Sequence, residues 1–170
     1  MILVGIGSNL AASDFASPQD TAAAAVAVMP SLGIEIRRRS SWCFTEPVPP
    51  SDQPWYVNAV AAVATDLSPP ALLAALLRVE TRFGRQRGAR NAARTLDLDL
   101  LDYDGFQCDT PDLVLPHPRL HERRFILAPL AEIAPDWRHS RLRSTAAELL
   151  SRLPPGQAVR AIGDHDPPIG

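Results

Sequence analysis

The chain has 170 residues, 46% hydrophobic and 21% charged, the make-up of one globular domain able to bury a sizeable core. A net charge of −2 at pH 7 gives no overall attraction for nucleic acid or an anionic membrane, and no apolar run reaches the ~20 residues of a bilayer span. All 17 basic residues are arginine, so arginine position, not arginine number, has to carry any argument. Met1-Ile2-Leu3-Val4 lacks the basic flank of a signal peptide, and Cys43 and Cys108 belong to no paired motif. A reduced, cytoplasmic setting without a disulfide is expected.

Ile2 to Ile6 reads as a short buried strand ended by Gly5-Ile6-Gly7-Ser8-Asn9. That glycine pair could let backbone approach a ligand, and a plain turn explains it equally well. Pro18 to Met29 is an alanine-rich helix, with Ser17 as N-cap and Pro18 in its first position. Ile34 to Phe44 is strand-like, with Arg37, Arg38 and Arg39 on a solvated edge. Glu46 to Pro54 carries four prolines in nine residues. No regular element survives that density, so it is a long loop of the kind that serves as a lid or binding loop. Tyr56 to Thr65 resumes a strand, with Tyr56, Asn58, Val60 and Ala62 on one side. A tyrosine and an asparagine so spaced could stack on and hydrogen-bond a flat heterocycle, or could be a core tyrosine beside a turn asparagine. Ser68 to Phe83 is a helix with the stripe Leu72, Leu73, Leu76 and Leu77, and Glu80 near its end faces an arginine-bearing segment.

That segment, Arg85 to Arg94, runs into Thr95-Leu96-Asp97-Leu98-Asp99-Leu100-Leu101. Apolar and acidic residues alternate with period two, so Leu96, Leu98 and Leu100 face a core while Asp97 and Asp99 point the other way together. At about 3.3 Å rise per residue their Cα atoms lie roughly 6.6 Å apart, close enough to converge on one ion. Paired carboxylates repel and need a compensating charge. Mg²⁺ carrying substrate phosphates is a natural one, being held by one or two carboxylates plus phosphate oxygens and water. Taken singly, such a strand is more often just amphipathic, and arginines at i, i+4 are more often a solvated helix face. Side by side, they suggest phosphoryl chemistry.

Beyond this strand, Asp104-Gly105 signals a hairpin turn, and Leu113 to Leu115 is a short strand cut off by Pro116-His117-Pro118. Glu122 to Ile133 is a helix with Phe125, Leu127, Leu130 and Ile133 inward, and Ser144 to Leu153 is a last amphipathic helix. His117 and His121 have a metal-like spacing. The flanking prolines argue against a helix there and a third ligand is missing, so contact with a phosphate or nucleotide suits His117 better. The order strand, helix, strand, strand, helix, strand predicts an α+β domain with a ferredoxin-like βαββαβ core over residues 1–153. Its antiparallel sheet would carry helices on one face, with C-terminal helical additions, and leave the other face open for a ligand. Residues 154–170 are expected to form a loosely ordered tail.

Six ordered blocks make the chain resemble the 6-hydroxymethyl-7,8-dihydropterin pyrophosphokinase family. They are Gly7-Ser8-Asn9-Leu10; Thr45-Glu46-Pro47 with Gln53-Pro54-Trp55-Tyr56-Val57-Asn58; Glu80 with Gly84-Arg85; Arg94 to Leu101; Leu115-Pro116-His117-Pro118-Arg119 with Arg123 and Phe125; and Glu132-Ile133-Ala134-Pro135. The resemblance implies transfer of pyrophosphate from ATP to the pterin hydroxymethyl group with release of AMP, in folate biosynthesis. It implies that Asp97 and Asp99 bind two Mg²⁺, and that Arg85, Arg94 and Arg123 hold the phosphates, Arg85 and Arg94 acting with the aspartates as catalytic residues. Tyr56 and Phe125 would sandwich the pterin, while Asn58 and the backbone at Thr45 and Val48 bond its edge. Backbone beside Leu100, with Glu80 and His117, would lie at the nucleotide. The loops 46–55 and 84–93 would close over the substrates, in a monomer with no nucleic-acid or membrane partner. The chain departs from many members in having Asn91-Ala92-Ala93 before Arg94, and Pro118 where some have tyrosine. Two rival readings are an RNA-binding module, usually basic with aromatics on its central strands, and a ligand-sensing domain, which needs no acidic pair.

Overall fold

The computed structural model of the chain describes residues 1–47, 51–85, 93–156 and 158–161. Its strands are β1 (Ile2–Ser8), β2 (Glu35–Arg39), β3 (Cys43–Thr45), β4 (Tyr56–Ala64), β5 (Asp97–Tyr103), β6 (Cys108–Asp109), β7 (Val114–Leu115) and β8 (Val159–Ala161). The helices are α1 (Pro18–Val28), α2 (Pro69–Arg82), α3 (Arg124–Ile133) and α4 (Ala146–Arg152). The main sheet runs β5-β1-β4-β3-β8, antiparallel at every pairing. β2 pairs with β4 over Ala61–Ala64 and β3 over Tyr56–Asn58, so the expected single strand from Ile34 to Phe44 is one edge broken in the middle. Ser40 sits at the break, its amide donating to Val60 O and its hydroxyl accepting from Val60 N.

Alternation along the strands separates two cores. On one face Val4 and Ile6, Ala59 and Ala61, and Leu98 and Leu100 pack against α1 and α2. The outward leucines of the acidic strand therefore do face a core, as their period requires. The expectation that the other face stays open needs correction. Leu3, Val60, Ala62 and Leu101 are buried there under Ile126, Leu127 and Leu130 of α3 and Ala146 and Leu149 of α4. The apolar stripe of α3 needs cover, and these sheet positions supply it. Gly5 makes the close approach possible, since a Cβ there would stand 3.2 Å from Ile126 Cδ1. Toward the strand ends Gly7, Tyr56, Asn58 and Asp97 line a cavity instead.

Two further expectations are corrected. A 3-10 turn occupies Leu120–Glu122 and α3 begins at Arg124, so Ile126 takes the inward position expected for Phe125. Asp104 and Gly105 do form a positive-φ turn, but the strand after it pairs with β7 and not back along β5. The tail is also ordered further than expected, because Val159–Ala161 form β8 on the free edge of β3. Residues 162–170 lie outside the described residues. Among the described residues no helix is long and apolar enough to cross a membrane.

Candidate active site

A cavity of about 480 Å³ opens at these strand ends, where Gly7 of β1, Tyr56 and Asn58 of β4 and Asp97 of β5 line one side. Arg123 and Phe125, from the start of α3, close another side. Tyr56 and Asn58 alternate outward from β4, so the period-two pattern alone puts both on the cavity face. Asn58 is 4% exposed, and its Nδ2 donates to Thr45 Oγ1 at 2.7 Å. The amide is thus aimed by a side-chain hydroxyl before any ligand arrives. Gly7 leaves it room, because a Cβ there would meet Asn58 Oδ1 at 3.0 Å. Burial pushes the Tyr56 phenol above its ordinary pKa, against the Arg94 charge nearby, so it is a neutral ring at physiological pH.

Beside the cavity, which Arg94, Asp97 and Arg123 line, three arginines pair with the two carboxylates. Arg85 Nη1 and Arg94 Nη1 lie 2.8 and 2.9 Å from Asp97 Oδ1. Arg123 Nη1 lies 2.9 Å from Asp99 Oδ2, and His117 Nε2 is 4.0 Å from the same oxygen. The aspartate side chains keep 26% and 29% of their surface exposed, so the pairs can be reached and exchanged. Among the described residues no cluster of three or more histidines, cysteines or carboxylates could hold a metal unaided. The donor set of two carboxylates beside arginines fits Mg²⁺, which takes its other ligands from phosphates and water. It does not fit a zinc site, and His117 and His121 bring no third ligand to each other. His117 Nδ1 accepts from the Arg119 amide at 3.2 Å, which leaves the proton of the neutral ring on Nε2, toward Asp99. Burial lowers its pKa more than Asp99 raises it, so the neutral form holds at pH 7.

Glu80 stands behind the acidic strand, paired with Arg85. It is 2% exposed, on the inner face of α2, and does not line the cavity. Its Oε1 accepts the Leu98 amide at 2.7 Å and pairs with Arg85. It therefore ties the acidic strand and one phosphate-site arginine together from behind. Burial pushes its pKa up to about 7, outweighing the Leu98 amide and the Arg85 charge, which both pull down. The folded state then binds this proton more tightly than the unfolded chain, with its ordinary value of 4.5. Glu80 thus costs stability as pH rises from about 4.5 through about 7. His139, pushed by burial down to about 4, works in the opposite direction over much of that window. The difference between variant and wild type isolates Glu80. Without added metal, the Tm of Glu80→Gln minus that of wild type is expected to climb steadily with pH across this range. A difference flat with pH would show that Glu80 ionises freely.

Leu100 buries its side chain in the α1/α2 core and does not line the cavity. Val48, Arg87 and Arg90 lie outside the described residues. Sequence reasoning missed the part played by Ser8 and Asn9, which are 0% and 1% exposed. Asn9 Oδ1 accepts the Arg94 amide at 2.7 Å, and its Nδ2 donates to Gln53 Oε1 and Pro54 O, both at 3.3 Å. Ser8 Oγ donates to Thr95 O at 2.7 Å. A pair read as a turn is a buried polar clamp joining the proline-rich loop to the start of the acidic strand. Its signal was the placing of two small polar residues at the end of an otherwise wholly apolar strand.

Residues 3–135 match the family 7,8-dihydro-6-hydroxymethylpterin-pyrophosphokinase (HPPK). The chain is 40% identical over 152 residues to the 2-amino-4-hydroxy-6-hydroxymethyldihydropteridine pyrophosphokinase of Synechocystis, covering 89% of this chain and 75% of that one. It is 40% identical over 157 residues to the protein of the same name from Methylorubrum extorquens, covering 92% and 96%. A crystal structure of an HPPK-DHPS in complex with substrates shares the fold, with a TM-score of 0.65 at 13% identity. That likeness covers 88% of this chain and 42% of the longer one. With its acidic pair, its converging arginines and more than three quarters of its length in these matches, the chain belongs to the 7,8-dihydro-6-hydroxymethylpterin-pyrophosphokinase family.

Proposed function

We propose that the chain transfers pyrophosphate from ATP to the hydroxymethyl group of 6-hydroxymethyl-7,8-dihydropterin, releasing AMP, in folate biosynthesis. One observation carries this reading beyond family membership: Asp97, Arg94 and Arg123 line a cavity with Tyr56, Asn58 and Phe125, and Arg85 and Asp99 pair with Asp97 and Arg123 beside it. The pterin lies in that cavity between Tyr56 and Phe125. Asn58, held by Thr45, and the backbone at Thr45 bond its polar edge. The hydroxymethyl oxygen attacks the β-phosphorus of ATP and gives up its proton to solvent, and the bond from that phosphorus to the oxygen of the α-phosphate breaks. Arg85, Arg94 and Arg123 exchange their aspartate partners for phosphate oxygens and follow the charge as it moves to the leaving AMP. Asp97 and Asp99 would hold two Mg²⁺, which supply charge neutralisation and alignment of the phosphates. Neutral His117 offers its Nε2–H beside Asp99, on the nucleotide side. Glu80 keeps Arg85 aimed.

The strand order, with β2 and β3 as one edge and crossovers through α1 and α2, supports the finer reading of a ferredoxin-like βαββαβ core. The additions are α3, α4 and the strands beyond β5. We take residues 1–153 as the body of a single pyrophosphokinase domain, whose sheet β8 extends at the edge of β3, working as a cytoplasmic monomer without nucleic acid or membrane.

Purified protein given ATP, Mg²⁺ and the dihydropterin is expected to form AMP only when all three are present. Absence of AMP would overturn the reading. Gly7→Ala tests the pterin side. A methyl there would meet Asn58 Oδ1 at 3.0 Å and so displace the amide slightly, and steady-state kinetics should show the pterin KM raised about three- to tenfold with little change in the ATP KM.

A further inference from the structure

The last described segment reaches the cavity from an unexpected direction. β8 pairs with β3 as Val159 to Thr45 and Arg160 to Phe44, and β3 pairs with β4 as Thr45 to Tyr56 and Phe44 to Val57. Directly opposed residues share a face of the sheet. Val159, Thr45 and Tyr56 therefore form a row on the cavity face, while Arg160, Phe44 and Val57 form a row on the other. Trp55, one residue before Tyr56, falls on the second face. The Arg160 guanidinium stands 5.0 Å from the centroid of the Trp55 ring. On the cavity face, Leu153, Pro154, Pro155 and Gly156 line the space that Tyr56 and Phe125 also line. Arg124, from the start of α3, donates to Leu153 O at 3.5 Å and Pro154 O at 3.3 Å. The segment is thus fastened by Arg124 at one end and by β8 at the other. All of it lies beyond residue 135, where the family match ends.

We propose that residues 153–156 and 158–161 act as a strap that completes the pterin pocket, and that Arg160 is a positioning residue for pterin binding. The strap supplies an apolar wall that keeps water from a flat ring. Arg160, stacked on Trp55, fixes the entry to β4 from behind and so holds Tyr56 against the pterin. The sequence of contacts is Arg160 to Trp55 to Tyr56, with no contact between Arg160 and the substrate. Along this chain of contacts it is Tyr56 that comes near the phosphate side, through the charges of Arg94 and Asp97. The proposal rests on the pterin reading of the cavity given above.

The test is steady-state kinetics on full-length Arg160→Ala, Arg160→Lys, Trp55→Ala and the double alanine variant. Arg160→Ala is expected to raise the pterin KM about two- to fivefold, as for loss of an exposed cation–π contact, with kcat and the ATP KM within about twofold of wild type. Arg160→Lys, which keeps a cation over the indole, should restore at least about half of the loss. Because Arg160 acts through Trp55, the double variant should be no worse than Trp55→Ala alone. An unchanged pterin KM in Arg160→Ala would overturn the proposal. So would an equal rise in the ATP KM, or effects of the two single changes that multiply in the double. Wild-type turnover in the same series keeps the two readings apart. An active wild type with an indistinguishable Arg160→Ala variant defeats the strap alone, and an inactive wild type defeats the pterin reading beneath it.

Discussion

Asp97→Asn and Asp99→Asn are each expected to lower turnover by roughly a thousandfold while leaving the fold intact. Asparagine keeps the shape and one oxygen ligand but removes the charge that Mg²⁺ and the arginines require. The two variants should differ in binding. Asp97 receives both Arg85 and Arg94, whereas Asp99 receives Arg123, with His117 at the longer distance of 4.0 Å. Asp97→Asn therefore leaves two guanidinium groups facing one neutral amide and should disturb the site more. Stability should change little in either case. These pairs are about a quarter exposed, and ion pairs that reach solvent contribute about 0–1 kcal/mol. Thermal unfolding followed by circular dichroism, alongside AMP formation at several Mg²⁺ concentrations, checks both halves. Near-normal turnover in either variant at moderate Mg²⁺ would remove the metal assignment.

Some of this site was legible in the sequence because strand geometry is local. A period of two puts Asp97 and Asp99 on one face and Leu96, Leu98 and Leu100 on the other, whatever else the chain does. Tyr56 and Asn58 follow from the same rule. Arg123 is a different matter, since its contact with Asp99 spans 24 residues and depends on how α3 docks. Only the family resemblance placed it there. The second face was misread because an apolar stripe on α3 says that the helix needs cover without saying which surface supplies it. Phe125 was misplaced by a helix start two residues too early, while Leu127, Leu130 and Ile133 do face inward as their spacing requires. Glu80 was legible in part: it faces the arginine-bearing segment as expected, pairing with Arg85, but its burial was not foreseen. It stands four residues after Leu76 and eight after Leu72, on the inward stripe of α2, where a carboxylate has to find partners. β8 carried no usable signal, because three residues after a Pro-Pro-Gly turn are too few to show a period.

Arg94→Ala is expected to cost roughly 10²–10³-fold in kcat/KM, more than loss of any other single arginine in the site. Its backbone is held at both ends of the peptide, the amide donating to Asn9 Oδ1 and the carbonyl accepting from the amides of Asn9 and Leu10. The guanidinium, by contrast, lines the cavity and makes one exposed ion pair, with Asp97. A fixed backbone with an exchangeable head is what a group needs if it must leave a carboxylate for a phosphate without searching. Lysine at 94 keeps the charge but lacks the planar fork that bridges two oxygens, so Arg94→Lys should recover no more than about tenfold. Asn9→Ala separates position from charge, since it removes the side-chain bond to the Arg94 amide, keeps the backbone bonds to the Arg94 carbonyl and leaves the guanidinium untouched. It should lower kcat in the same direction as Arg94→Ala, by a smaller factor, and loosen the proline-rich loop through the lost contacts to Gln53 and Pro54. Full activity in Arg94→Lys would mean that charge alone suffices there. Full activity in Asn9→Ala would mean that Arg94 finds its place without the clamp.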